Sequence, residues 1–136
     1  MHGDKAFVDT NVLVYAYSNR EPVKKAKAEA ILSIPNAVTS LQALNEYANV
    51  MRKRFAVPFD DIQTGIHQIC EALPIVLIDV MTVHSAIEMG RRFKYSHYDS
   101  LILATAKEQQ CSTLYSEDFQ DGQVIDGTLR IVNPFR

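Results

Sequence analysis

The sequence predicts a three-layer α/β domain, an α/β/α arrangement on a short, mainly parallel central sheet. Short apolar runs alternate with stretches of helical periodicity along the chain, the pattern expected when strands and crossover helices take turns. The run Ile75-Val76-Leu77-Ile78 is continuously apolar, as a strand covered on both faces of a parallel sheet would be. Finally, Asp9, Glu46, Asp99 and Asp118 each stand where a predicted strand or helix begins or where an apolar run turns polar. An open parallel sheet binds ligands beyond the carboxyl ends of its strands, so acids in such places are informative. With 136 residues, 47% of them hydrophobic, and no internal repeat or linker, residues 1–136 are expected to form one domain.

The first predicted strand is Ala6–Val8, bounded by Asp9. Asn11–Tyr17 reads as a short helix and Val23–Leu32 as a second, with Pro22 in its first turn, where a missing N–H is harmless. Lys24, Lys25, Lys27 and Glu29 mark its solvated face. After the Pro35-Asn36 turn, Ala37-Val38 is a second strand, and Thr39 with Gln42 three residues on fits a capping box. Leu44, Tyr47, Ala48, Met51 and Phe55 follow at helical spacing, with Glu46 off the most apolar stripe. Between Pro58 and Pro74, the helix Phe59–Leu73 is expected to bury Ile62, Ile66, Ile69, Cys70 and Leu73. Past the strand 75–78, Val83, Ala86, Ile87, Gly90 and Phe93 organise a further helix. Ser96-His97-Tyr98-Asp99 leads into the nearly all-apolar helix Leu101–Ala106, closed by Gln109-Gln110-Cys111. Ser112–Tyr115 is the next strand, Gly122 and Gly127 mark a loop, and Leu129–Val132 is a terminal strand.

The formal charge of −2, from 14 Lys plus Arg and 16 Asp plus Glu, neither requires nor excludes a polyanionic substrate, since the chain without the four acids above would carry +2. Cys70 and Cys111 have no zinc or redox spacing and are expected to be free, mostly buried thiols in a reducing compartment. The amino terminus runs directly into Ala6-Phe7-Val8-Asp9 without a secretory segment, and nothing approaches the ~20 apolar residues of a membrane span. A cytoplasmic protein without membrane association is therefore expected.

Taken singly, the acids have ordinary explanations. Asp9 and Asp99 can cap helices, Glu46 can be a solvated helix residue, and Asp118 can be a loop or cap residue whose neighbour Glu117 takes any functional role. Taken together, Asp9 and Asp118 follow strands and reach one sheet edge, Asp99 occupies the first turn of its helix, and Glu46 enters from another helix. Such an oxygen donor set suits Mg²⁺ or Mn²⁺, hard cations that combine carboxylates with water and substrate phosphate. His84 and His97 are isolated and offer no zinc spacing.

Four stretches carry a family likeness: Phe7-Val8-Asp9-Thr10-Asn11-Val12-Leu13, Leu44-Asn45-Glu46, the run from Tyr98 to Ala106, and Leu114-Tyr115-Ser116-Glu117-Asp118-Phe119. In this order they resemble the motifs of PIN-domain nucleases, most closely the small VapC-type toxin ribonucleases of toxin-antitoxin pairs. The resemblance implies a metal-dependent endoribonuclease in which Asp9, Glu46, Asp99 and Asp118 hold one or two Mg²⁺ or Mn²⁺ ions. Asp9 and Asp99 would be the central ligands, with Asn11 and Ser116 supporting the cluster and Thr10 as its hydroxyl-bearing neighbour. Ser100 stands where a small apolar residue is more common, which keeps the volume small. Whether Asp118 or the adjacent Glu117 supplies the fourth acid is open at this stage. A homodimer and a cognate antitoxin are further implications of the same resemblance.

Arg52, Lys53 and Arg54, and likewise Arg91, Arg92 and Lys94, are candidates for RNA phosphate contacts, although a helix carboxyl terminus favours cations by itself. Tyr15, Tyr17, Tyr47, Tyr95 and Tyr98 can stack on bases or pack, and Tyr47 and Tyr98 are expected in the core because they join apolar helical patterns. A non-catalytic RNA-binding PIN module in RNA processing is the alternative, against which the retention of all four acids speaks. A phosphatase or receiver domain fits less well: no second aspartate stands close to Asp9, and no lysine follows the strand ending at Tyr115.

Overall fold

Strands β1 (Ala6–Val8), β2 (Ala37–Ser40) and β3 (Ile75–Val76) are short because each brief apolar run passes almost at once into a helix cap, Asp9, Ser40 or Asp79. The computed structural model describes residues 5–136. Strand β1 (Ala6–Val8) ends at Asp9, whose extended backbone and side chain cap helix α1 (Thr10–Ala16). Pro22 opens α2 (Pro22–Leu32), and β2 (Ala37–Ser40) ends at the cap of α3 (Leu41–Lys53). Helix α4 (Phe59–Ala72), β3 (Ile75–Val76), α5 (Val80–Phe93) and α6 (His97–Glu108) follow. The chain closes with β4 (Thr113–Tyr115), β5 (Val124–Ile125) and β6 (Leu129–Val132).

The strands form one sheet in the order β3-β2-β1-β4-β6-β5, parallel throughout except for β5. Ala6 aligns with Ala37 on one side and Thr113 on the other, so β1 is central. From β1 the chain builds outward through β2 to β3, then returns by α5 and α6 to add β4 on the opposite side of β1. The strand order therefore reverses between β1 and β4, and the crevice beyond their carboxyl ends is the place where this class of sheet binds ligands. Helix α1 packs on α2 and on α3, α3 packs on α4, and α5 packs on α6, as expected of layers on two sheet faces. Phe7, Val8, Leu13, Ile102, Leu103, Leu114 and Ile131, each almost fully buried, belong to one contiguous core. A Cβ on Gly90 would lie 3.2 Å from Ser100 Oγ, so the small volume of Ser100 lets α5 and α6 approach closely.

Five expectations from the sequence are corrected. The cap of α3 is Ser40, whose Oγ accepts from the Ala43 amide at 3.1 Å, whereas Thr39 is still in β2 and donates its hydroxyl to the Val8 carbonyl at 2.7 Å. The run 75–78 contributes only two strand residues, both half-buried, because β3 is an edge strand with one neighbour, and Leu77 is 73% exposed. Cys70 is exposed because α4 turns Ile62, Gly65 and Ile69 to the core and the next position faces outward, while Cys111 is buried as expected. Tyr98 is 65% exposed, since Ser96 caps α6 and leaves its first turn at the surface, while Tyr47 is fully buried. The loop marked by Gly122 and Gly127 contains β5, which turns back onto β6 through Asp126 and Gly127, both with positive φ.

Candidate functional site

Asp9 reaches the switch-point crevice because β1 ends there. Its Oδ1 accepts from the Thr10 amide at 2.7 Å and its Oδ2 from the Ser116 hydroxyl at 2.7 Å. Ser116 arrives from the adjacent strand end, just past Tyr115, the β4 residue aligned with Val8. Asn11 ties the two ends further, its Nδ2 lying 3.1 Å from Ser116 Oγ and 3.1 Å from Asp118 Oδ2, while its Oδ1 accepts from the Glu117 amide at 3.3 Å. The small polar residues thus connect two acids that neither touch nor pair.

Asp118 and Glu117 have different partners. Glu117 lines the same groove but is held by other partners, its Oε1 accepting from the Tyr15 hydroxyl at 2.6 Å and its Oε2 lying 3.4 Å from Lys24 Nζ. Asp118 is exposed and turned toward Asn11 and the crevice.

Glu46 is oriented from two sides. The Thr10 hydroxyl donates to its Oε2 at 3.0 Å, and Gln42, one turn earlier on α3, donates to its Oε1 at 2.7 Å. Gln42 Nε2 also reaches the Tyr98 carbonyl at 3.1 Å, linking α3 to the first turn of α6, where half-buried Asp99 stands. Gln42 was not among the site residues expected from sequence, where it served only as part of a capping box, yet its i,i+4 spacing to Glu46 carried the signal.

The four carboxylates share one electrostatic neighbourhood. Burial pushes Asp9 up to about 7, opposed by its bonds from Ser116 and Thr10 and reinforced by the charges of Asp118 and Glu46. Asp99 is also raised, first by burial and further by Asp118 and Glu46, against the hydrogen bond from Ser96. Among the described residues none of the four forms an ion pair with a lysine or arginine. Negative charge gathered at a strand-order switch without an ion-paired lysine or arginine is a donor set that fits a hard divalent ion. Among the described residues no three acidic, histidine or cysteine side chains close into a cage, and magnesium commonly binds through one or two carboxylates plus waters and substrate phosphate rather than through such a cage. A groove of about 300 Å³ opens beside the cluster, lined by Glu46 and Asp118 among others, while Asp9 and Asp99 lie outside its lining.

The PIN domain family matches residues 6–120, a span that contains all four acids. The chain belongs to the PIN domain family. No curated protein matches it. Its fold is similar to that of a toxin-antitoxin complex chain from Klebsiella pneumoniae, with a TM-score of 0.73 at 23% identity over 96% of this chain and 98% of that one. It is likewise similar to the sarcin-ricin loop cleaving toxin VapC20 of Mycobacterium tuberculosis (TM-score 0.70, 16% identity, 84% and 92% covered). VapBC2 from Rickettsia felis, bound to a promoter DNA fragment, gives a TM-score of 0.69 at 16% identity over 94% and 98%.

In this PIN domain the two basic groups are placed differently. Arg54 lines the groove beside Glu46, whereas Arg52 lies over the Phe59 ring and donates to the Val57 carbonyl. Arg91 pairs with Glu88, and Arg92 pairs with Asp126, whose carboxyl is held below the usual range by Arg92 and Lys107. Lys53 and Lys94 are exposed at the ends of α3 and α5. None of Arg52, Lys53, Arg91, Arg92 or Lys94 lines the groove.

Proposed function

We propose that the protein is a divalent-metal-dependent endoribonuclease that hydrolyses RNA phosphodiester bonds and acts as the toxin of a toxin-antitoxin pair. The observation that carries this reading is the set of four carboxylates, Asp9, Glu46, Asp99 and Asp118, gathered without an ion-pair partner among the described residues at the switch point of a PIN domain. Asp9 and Asp99 would hold Mg²⁺ or Mn²⁺ centrally, with Glu46 and Asp118 completing the shell directly or through water. The chemistry a bound ion would supply there is activation of water at neutral pH and stabilisation of negative charge on the reacting phosphate.

The chain's own contribution is orientation. Ser116 and the Thr10 amide fix both Asp9 oxygens, Asn11 fixes Asp118 relative to Ser116, and Thr10 with Gln42 fixes Glu46. Such outer partners commonly tune metal affinity 10–100-fold. No carboxylate is assigned as a lone general base, because four interacting acids titrate as a set. The likeness to VapC20 and to VapBC complexes supports RNA as substrate and a small antitoxin as inhibitor, and a homodimer is the expected assembly.

The test is incubation of total RNA with the purified protein and Mg²⁺ or Mn²⁺, with mapping of the new ends. Cleavage should vanish on chelation and in Asp9→Asn. Activity unchanged by both treatments rejects the site, and metal-independent RNA binding without cleavage favours a binding module instead.

A further inference from the structure

We propose that Arg20, Phe55 and Arg54 form a nucleotide subsite beside the acidic cluster, holding the stretch of single-stranded RNA next to the phosphate that is cut; this rests on the ribonuclease reading above. Glu46 and Val50 on α3 and Arg54 at its C-cap all line the groove and stand four residues apart, so one helix face runs from the acids to the cation. Eight residues of helix span about 12 Å, a reach suited to the nucleotides flanking a bound phosphate. Arg20, from the connection between α1 and α2, also lines the groove, with its guanidinium carbon 4.5 Å from the Phe55 ring centre. The guanidinium carbon of Arg54 lies 5.6 Å from the same ring. One aromatic ring therefore assembles two cations from separate elements.

Neither guanidinium has an ion-pair or side-chain hydrogen-bond partner among the described residues, in contrast to Arg52, Arg91 and Arg92. Phe55 itself is fixed by the end of α3: Ala56 has φ of 51°, its amide bonds to the Arg52 carbonyl, and the Val57 amide bonds to that of Met51. Guanidinium planes and aromatic rings both stack on unpaired bases, and guanidinium also pairs with phosphate. The two arginines further offset the repulsion an RNA strand meets on approaching Glu46 and Asp118.

The experiment measures binding of a fluorescent single-stranded RNA oligonucleotide to full-length protein carrying Asp9→Asn across a salt series, and KM and kcat for cleavage in the otherwise wild-type chain. Arg20→Gln and Arg54→Gln should each weaken binding, raise KM with little change in kcat, and reduce the salt slope by about 0.7. Phe55→Leu, which keeps an apolar side chain against the core, should weaken binding about tenfold or more, within the range reported by alanine substitution at stacking aromatics. Lys27→Gln, an exposed α2 position, controls for general charge. Unchanged KM and slope in all three variants, or equal loss in Lys27→Gln, overturns the subsite while leaving cleavage by the parent chain intact. Weakened capture of a protein inhibitor with RNA affinity unchanged overturns it as well. If the parent chain cleaves no RNA, the ribonuclease reading fails and with it the place of the subsite beside a cut phosphate, while RNA binding that still depends on these three residues supports only their contact with single-stranded RNA.

Discussion

Asp9 carries an ionisable carboxyl in surroundings that disfavour its charge. In the folded chain it titrates near 7 against 3.8 for an unperturbed aspartate, because burial outweighs the bonds from Ser116 and Thr10. Between those two values the folded protein keeps a proton that the unfolded chain has released. The associated stability is therefore complete below about pH 4 and is lost as pH rises through about 7, a change on the order of 4 kcal/mol if Asp9 acted alone. Thermal unfolding of chelator-treated protein should fall in midpoint over this interval, and Asp9→Asn should flatten the profile. A flat profile in the parent chain would count against an uncompensated Asp9. At the neighbouring corner, Asp118→Asn should reduce cleavage at least tenfold more than Glu117→Gln, because Glu117 is engaged by Tyr15 and Lys24. Loss of Glu117 should instead lower stability modestly, by about 1 kcal/mol, read from denaturant unfolding.

Among the elements, α3 has the most to do, since one face carries Gln42 and Glu46 to the cluster and another packs on α4. That packing is tight at Gly65, where a Cβ would lie 2.2 Å from the Tyr47 hydroxyl. Gly65→Ala should destabilise the fold by about 1–3 kcal/mol through overpacking. Adding Tyr47→Phe should recover part of that loss, because the hydroxyl is the closest obstacle. An additive double variant would mean that α4 shifts as a body rather than pressing on Tyr47. Most of these elements were legible: the apolar spacing of Leu44, Tyr47 and Met51 marks the buried face of α3 without tertiary information. The cap was less so, because Thr39 and Ser40 offer the same hydroxyl chemistry, and only the fold turns the Thr39 hydroxyl to the Val8 carbonyl and leaves Ser40 Oγ for the Ala43 amide.

At the scale of the whole molecule, strand order unites residues more than a hundred positions apart, Asp9 with Ser116 and Asn11 with Asp118. A cation bound there should stabilise the native state, by about 2.7 kcal/mol at a hundred times its dissociation constant. Saturating Mg²⁺ or Mn²⁺ should accordingly raise the thermal midpoint, and Asp9→Asn should abolish the increment. An unchanged midpoint in the parent chain would argue against an assembled site.

The sequence by itself determined the α/β class, the family and which acids to suspect, because local periodicity, caps and short motifs are written in neighbouring residues. It could not assign partners to Asp118 and Glu117, since adjacent carboxylates are chemically alike until the fold sets Asn11 beside one and Tyr15 with Lys24 beside the other. Nor could it tell that β3 is a half-exposed edge, or that Arg20 meets Arg54 across Phe55 while Arg92 turns to Asp126. Those outcomes depend on which distant segments the fold brings together, and only the tertiary structure decides that.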